Sequence, residues 1–247
     1  MTVPEIAKVL QLAQRLTVLT GAGVSAESGI PTFRGPQGLW KTHRPEDLAT
    51  PKAFMRDPEL VWEWYDWRRR LVAQCQPNGA HLILAEWSQN YSNFILVTQN
   101  VDGLHERAGT TNVIKFHGSI WELCCLNRCA ASPDRWVDES VPLLPLPPQC
   151  PSCGRLARPN VVWFGESIDK KVLARSLSST NCDVFLTIGT SALVQPAASL
   201  TAEAKRRGAL TVEINPENTP HTKLVDVSVK GSAVQVLSRL ENLRHST

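Results

Sequence analysis

The run Gly21-Ala22-Gly23-Val24-Ser25-Ala26-Glu27-Ser28-Gly29-Ile30-Pro31-Thr32-Phe33-Arg34-Gly35 decides how this chain is read. It follows an apolar stretch, Leu16-Thr17-Val18-Leu19-Thr20, with the pattern of a buried β-strand. A strand, a tight glycine turn and a helix start present backbone N–H groups to a pyrophosphate. Gly21 is expected at the sharp turn and Gly23 where a phosphate nears the backbone. Ala26 is expected where the helix packs on the strand. Alone, G-x-G-x-x-A is a weak pattern, because many glycine turns after strands bind nothing. The acidic residue expected about 20 positions on, to hold a ribose hydroxyl, is not evident. Instead Pro31-Thr32-Phe33-Arg34-Gly35 sets an aromatic and a cation beside the turn. That suits a loop folded back over a cofactor, with Phe33 and Arg34 near the reacting end.

Working outward, Ile6, Val9, Leu10 and Ala13 repeat at helical spacing. Asp57-Pro58 starts a further helix through Trp62, Trp64, Tyr65 and Trp67 to about Ala73, read as a helical insertion. A helix over 80–90 precedes strands over 94–98 and 113–116, the second ending at His117-Gly118-Ser119. Residues 120–158 hold cysteines and prolines with little periodicity, and so long a loop needs something to hold it. Strands are then expected at 160–164, 184–188, 210–214 and 225–229, with helices at 168–177, 197–207 and 234–243. Apolar strands alternating with helices predict an α/β fold, a Rossmann-like doubly wound parallel sheet covered on both faces. Ligands bind such sheets at the carboxyl ends of the strands. The polar clusters lie there: Gly21 to Arg34, Gln99 to Asp102, His117, Gly189-Thr190-Ser191 and Asn215-Pro216-Glu217.

The 247 residues are 43% hydrophobic with net charge +3, enough for one sizeable core or for one core plus a small satellite module. The basic excess is spread out and makes no case for specific nucleic-acid binding. No apolar run approaches a membrane span and no secretory leader is evident, so a soluble cytoplasmic protein is expected. Seven cysteines, four of them in two close pairs, suit a metal site better than a disulfide framework. Cys125 and Cys129 with Cys150 and Cys153 make a set of four thiolates for a closed, structural zinc. Cys124 competes with Cys125, while Cys75 and Cys182 read as core thiols.

Three further places carry chemistry. His117 ends an apolar strand beside a glycine, where a general base would be useful; a lone strand histidine is more often structural. Gln99-Asn100-Val101-Asp102 follows a strand end directly, either as an Asx-type turn into Gly103 or as donors and acceptors for ribose and carboxamide. Tyr65 and Arg68 lie three apart on one helical face. They read either as part of a packed and solvated helix or as a phenol and a guanidinium gripping a carboxylate.

Taken in order, these motifs resemble the sirtuin family over nearly the whole chain. The glycine run through Phe33-Arg34-Gly35, Gln99-Asn100-Val101-Asp102, His117-Gly118-Ser119, the four cysteines, Val162-Trp163-Phe164-Gly165-Glu166, Gly189-Thr190-Ser191 and Asn215 all appear in family order. Tyr65 with Arg68, Thr32 in place of a common Asp, and Ala49 resemble the class III branch, which removes succinyl, malonyl and glutaryl groups from lysine. The resemblance implies one catalytic domain over 1–247. Within it the NAD-binding part would cover 1–40, 81–118 and 159–247, the helical insertion 41–80 and the zinc module 119–158.

It also implies roles. NAD would contact Gly21, Ala22, Gly23, Ser25, Thr32, Phe33, Arg34, Trp40, Gln99, Asn100, Val101, Asp102, Gly189, Thr190, Ser191, Asn215, Pro216, Glu217 and Ala233. Acyl-lysine proteins or peptides would enter between the sheet and the zinc module, pairing with Val162, Phe164, Gly165 and Glu166. Ala49 would leave the acyl pocket wide, and Tyr65 and Arg68 would bind the acyl carboxylate. The acyl oxygen would attack the ribose as nicotinamide leaves. His117 would take the ribose hydroxyl proton, with Asn100 positioning the reacting groups, to give 2'-O-acyl-ADP-ribose. The alternatives are a plain deacetylase, an ADP-ribosyltransferase using the same pocket, and a silent NAD-binding sensor or scaffold. Hydride transfer would leave the Phe33-Arg34 loop and the peptide-pairing strand without a purpose.

Overall fold

The computed structural model describes residues 1–32 and 44–245. Helix α1 (Val3–Leu12) leads into strand β1 (Arg15–Thr20), whose last five residues are all buried. Two single 3-10 turns follow, Ala22–Val24 and Ala26–Ser28. The α-helix start expected after the glycine turn is therefore absent. Gly29, at φ +91°, ends the second turn in the left-handed region that glycine adopts most easily. Short helices α2 (Pro45–Leu48) and α3 (Pro51–Arg56) precede the long α4 (Pro58–Gln74). The start of α4 is the expected one. Pro58 holds the first helical position, and the Asp57 carboxylate accepts the Leu60 N–H at 3.0 Å. Asn78 caps α5 (Gly79–Asn90) by accepting from the Ala80 N–H at 2.9 Å.

The chain continues through β2 (Asn93–Thr98), α6 (Leu104–Arg107), β3 (Val113–Lys115), β4 (Gly118–Cys125), β5 (Trp136–Val137), β6 (Ala157–Val161) and α7 (Lys170–Ser179). It ends with β7 (Val184–Ile188), α8 (Ser199–Arg206), β8 (Leu210–Asn215), β9 (Val227–Lys230) and α9 (Ala233–His245).

Six strands form one parallel sheet in the order β3-β2-β1-β7-β8-β9. Every residue of β7 is buried, as a strand covered on both faces requires. Alternation assigns the faces. Leu16 and Val18 pack toward α1, α5 and α9 with Leu10, Leu84, Trp87 and Leu237. Leu19 and Phe185 pack toward α7 and α8 with Leu200, Ala204 and Val172. Numbered among themselves, the six strands run 3-2-1-4-5-6, the doubly wound dinucleotide-binding order. The order reverses between β1 and β7, so a crevice opens at their carboxyl ends.

A second sheet, β5-β4-β6, is antiparallel and packs on α4. Trp62 and Tyr65 bury against Ile120, Leu123 and Val161 there. Strand β4 lies where little regular structure was expected. A register shift between Gly118 and Leu123 breaks its period-two pattern, leaving a burial order that does not alternate. The strand expected at 160–164 instead runs Ala157–Val161. Pro159 is tolerated because β6 is an edge strand. Beyond it the chain turns through Gly165, at φ +88°, and the Trp163 N–H bonds the Glu166 carboxylate at 2.9 Å. No helix among the described residues is long and apolar enough to cross a membrane.

Candidate active site

The carboxyl ends of β1 and β7 are zipped together by their loops. The Gly21 N–H donates to Ile188 O at 3.0 Å, and the Gly23 N–H to Gly189 O at 2.8 Å. A Cβ on Gly23 would lie 2.8 Å from both Cα and O of Gly189, and one on Gly21 2.8 Å from Gly189 O. The Cβ side of Gly23 thus faces the Gly189 backbone, so its smallness lets the two loops meet, while Gly23 still lines the cavity described next. Backbone against backbone cannot yield as a side-chain tip can. Gly23→Ala is expected to cost about 1–3 kcal/mol of stability and to weaken NAD binding by prying the loops apart. Thermal melting and NAD titration read the two effects.

These loops wall a cavity of about 510 Å³. Gly21, Ala22, Gly23, Thr32, Gln99, Asn100, Val101, His117, Gly189, Thr190, Ser191, Asn215, Pro216, Glu217 and Ala233 line it. So do Ala49, Tyr65, Arg68, Val162, Phe164, Gly165 and Glu166. Ser25 and Asp102 are not on its wall; both are buried behind it. Phe33, Arg34 and Trp40 lie outside the described residues.

Behind the wall runs a hydrogen-bonded chain. Asn100 Nδ2 donates to Gly21 O at 3.1 Å and to Ser25 Oγ at 3.2 Å, and Ser25 Oγ donates to Asp102 Oδ2 at 2.8 Å. Asp102 Oδ1 accepts the Leu104 N–H at 2.9 Å. Burial pushes the Asp102 carboxyl up, against these hydrogen bonds and the pull of Arg68 and Arg107. The chain ties Asn100 to the glycine loop, joining the ends of β1 and β2.

His117 stands on the cavity wall with Nδ1 3.1 Å from Gln99 O. A carbonyl only accepts, so Nδ1 carries the hydrogen and Nε2 keeps its lone pair. Burial lowers the ring's pKa below 6.5, only partly offset by the Gln99 carbonyl. The Val162 N–H donates to His117 O at 3.0 Å, tying the histidine to the 162–166 segment.

α4 presents Trp64, Tyr65 and Arg68 to the same cavity. Trp163 Nε1 donates to the Tyr65 hydroxyl at 2.9 Å, and the Arg68 guanidinium lies 4.9 Å from the Trp64 ring centroid. Arg68 is only 7% exposed. Burial works against its charge and raises Tyr65, while the two groups partly offset each other. Ala49 O accepts the Phe164 N–H at 2.9 Å. The Glu166 carboxylate is gripped by Arg158 at 2.6 and 2.9 Å. That pair, with the Trp163 N–H, occupies its side chain, and its own backbone N–H donates to Trp163 O at 3.0 Å.

The sulfurs of Cys125, Cys129, Cys150 and Cys153 all lie within 4.8 Å of one another, two pairs at 3.7 and 3.8 Å. Tetrahedral zinc with bonds of about 2.3 Å sets its sulfurs about 3.8 Å apart. The cluster fits one structural zinc, and of the adjacent pair it takes in Cys125 and not Cys124. Chelation or Cys150→Ser is expected to release one zinc per chain and open the 119–158 region to protease. NAD titration should change far less, because the cluster lies outside the lining of the large cavity.

A model of the Sir2 family matches residues 21–196. The NAD-dependent protein deacylase 1 of Caldanaerobacter subterraneus subsp. tengcongensis is 50% identical over 225 residues, 91% of each chain. The chain belongs to the Sir2 family. Among solved structures, a Sir2 homolog–NAD complex is 48% identical, with a TM-score of 0.90, covering 98% of this chain and 94% of that one. A Sir2 complex with a p53 peptide and NAD+ is 27% identical, with a TM-score of 0.83 and full coverage of both chains.

Sequence reading missed several residues of this Sir2 site. His81 and His105 are buried with ring centroids 4.8 Å apart. His81 Nε2 lies 3.4 Å from Ser25 Oγ, and His105 Nε2 lies 3.0 Å from Thr20 Oγ1, which donates to Thr98 Oγ1 at 2.9 Å. Burial drops His81 to about 4 and His105 well below 6.5, so both rings are neutral spacers at pH 7. The threonines that end β1 and β2 were the one readable signal, since polar ends on otherwise apolar strands need partners.

Proposed function

We propose that this chain removes short acidic acyl groups, of the succinyl, malonyl or glutaryl class, from lysine side chains of proteins. Its general activity comes with its family: it is an NAD-dependent protein deacylase. The observation that carries the finer reading is Arg68, a buried guanidinium on the cavity wall three residues from Tyr65. A cation so desolvated gains most from an anion delivered to it. An acyl-lysine ending in a methyl brings none.

Bound NAD supplies the ribose carbon that the acyl oxygen attacks and the nicotinamide that leaves. Gly21, Gly23 and Gly189 hold the crevice that would take its pyrophosphate, and Asn215 and Glu217 line the same cavity. Asn100, braced by Ser25 and Gly21 O, orients the reacting ribose. Nε2 of His117 takes the ribose hydroxyl proton. Ala49 keeps the acyl channel wide, while Tyr65 and Arg68 receive the distal carboxylate. The backbone of 162–166 pairs with the substrate peptide. Four thiolates hold the zinc and take no part in the chemistry. The whole works as one catalytic domain, with the NAD-binding part at 1–40, 81–118 and 159–247, the helical insertion at 41–80 and the zinc module at 119–158.

The test is nicotinamide release from NAD with matched succinyl-lysine and acetyl-lysine peptides. A higher kcat/KM for the succinyl peptide supports the reading. A higher value for the acetyl peptide returns the chain to plain deacetylation.

A further inference from the structure

The triplet Arg68-Arg69-Arg70 splits three ways. Arg68 lines the cavity, Arg70 is half-exposed and pairs with Asp66 at 2.7 Å, and Arg69 is fully buried, at 0% exposure. Its guanidinium does not reach the cavity; it points under the small sheet. Nη1 donates to Ile120 O at 3.3 Å, and Nη2 to Asp138 O at 2.7 Å, Asp138 Oδ1 at 2.8 Å and Ser140 O at 2.9 Å. The same group lies 5.1 Å from the Trp121 ring centroid, whose Nε1 donates to Asp102 O at 2.7 Å.

Arg69 does not act alone. Trp62 Nε1 donates to Ala157 O at 3.0 Å, and Asp66 accepts the Leu143 N–H at 2.8 Å. Positions 62, 66 and 69 make one stripe of α4, and 65 and 68 make the adjoining one. The first stripe is bolted to the segment that carries the cysteines, and the second faces the cavity. A helix is stiff along these few turns, so the direction of Arg68 is set by where Arg69 is held.

We infer that Arg69 is a positioning residue for acyl-group selectivity, fixing α4 against the small sheet so that Arg68 meets the distal carboxylate of the acyl group. The inference rests on the proposed reading of Arg68. Lysine in place of Arg69 keeps the charge but has no planar fork, so it cannot reach three carbonyls and a carboxylate together. The helix then settles differently and the cation beside the acyl pocket is displaced. Such small displacements of a positioned group cost far more than their size suggests.

The test is Arg69→Lys and, because a buried arginine can be needed for folding, also Asp138→Ala, whose side chain is 25% exposed. Each is measured with succinyl-lysine and acetyl-lysine peptides and for its KM toward NAD. The expected result for Arg69→Lys is a rise of about tenfold in KM for the succinyl peptide. Its kcat, the acetyl peptide's KM and the KM for NAD should stay within about twofold of the parent. Asp138→Ala should move the same way by about threefold. A merely structural role would instead move both peptides together. Equal losses, or no change, overturn the inference while Arg68→Met still separates the two peptides. Should Arg68→Met fail to separate them, the reading of the pocket falls and this inference falls with it.

Discussion

Replacing His117 by alanine is expected to lower kcat for deacylation by about 10²–10⁴-fold, the usual contribution of a positioned general base. NAD should still bind, because the glycine loops and the Asn100–Ser25–Asp102 chain do not depend on the imidazole. The pH profile gives a second reading. A base must be neutral to accept a proton, and burial holds this ring's pKa below 6.5. Activity should therefore be full at neutral pH and fall only as pH drops through the lowered value. The acid limb of kcat/KM is expected below pH 6.5 in the parent and should be missing from the residual rate of the alanine variant. Nicotinamide release and product analysis read both. A variant that keeps full deacylation would remove the base role. One that kept ADP-ribosyl transfer while losing deacylation would favour the transferase reading of the same pocket.

The parallel sheet was legible because its central strands are largely apolar on both faces. β1 and β7 need no partner information to be recognised, since inside each a single threonine, Thr17 or Thr187, is all that interrupts the apolar run. The start of α4 was legible too, written locally as Asp57-Pro58. What failed was structure whose pattern is broken by its neighbours. β4 carries a register shift that destroys alternation, and β6 contains Pro159, which only its edge position permits. The glycine turn is written in the sequence, yet one reason for it is not: a Cβ on Gly23 would meet the backbone of Gly189, a residue 166 positions away. The same distance problem hides the polar chain behind the cavity. Ser25, His81, Thr98 and His105 come from four segments, and no local rule brings them together. Tyr65 and Arg68 were visible as a pair because helical spacing is local. Trp163, which donates to Tyr65, and Arg69, which anchors the helix, were not.

Arg68→Met should separate the two substrates. Methionine keeps the length and much of the apolar bulk of the arginine stem, so α4 keeps its packing through Trp62, Asp66 and Arg69. What disappears is the cation. For a succinyl-lysine substrate the distal carboxylate would then enter a buried pocket without its charged partner, a loss of about 2–5 kcal/mol. That is a fall of about 30- to 4,000-fold in kcat/KM. An acetyl-lysine substrate places no charge there and loses only what the altered shape costs, so its kcat/KM should fall far less. Tyr65→Phe should follow with a smaller effect. It removes one hydroxyl, and the Trp163 Nε1–H loses an acceptor at 2.9 Å, a buried donor left unmatched at about 1–3 kcal/mol. The ratio of the two substrates' kcat/KM is the deciding quantity, because instability, poor NAD binding or a damaged base would lower both alike. Equal losses on both would mean that Arg68 serves α4 as Arg69 does, by holding it in place, and that the cavity has no preference for an anion.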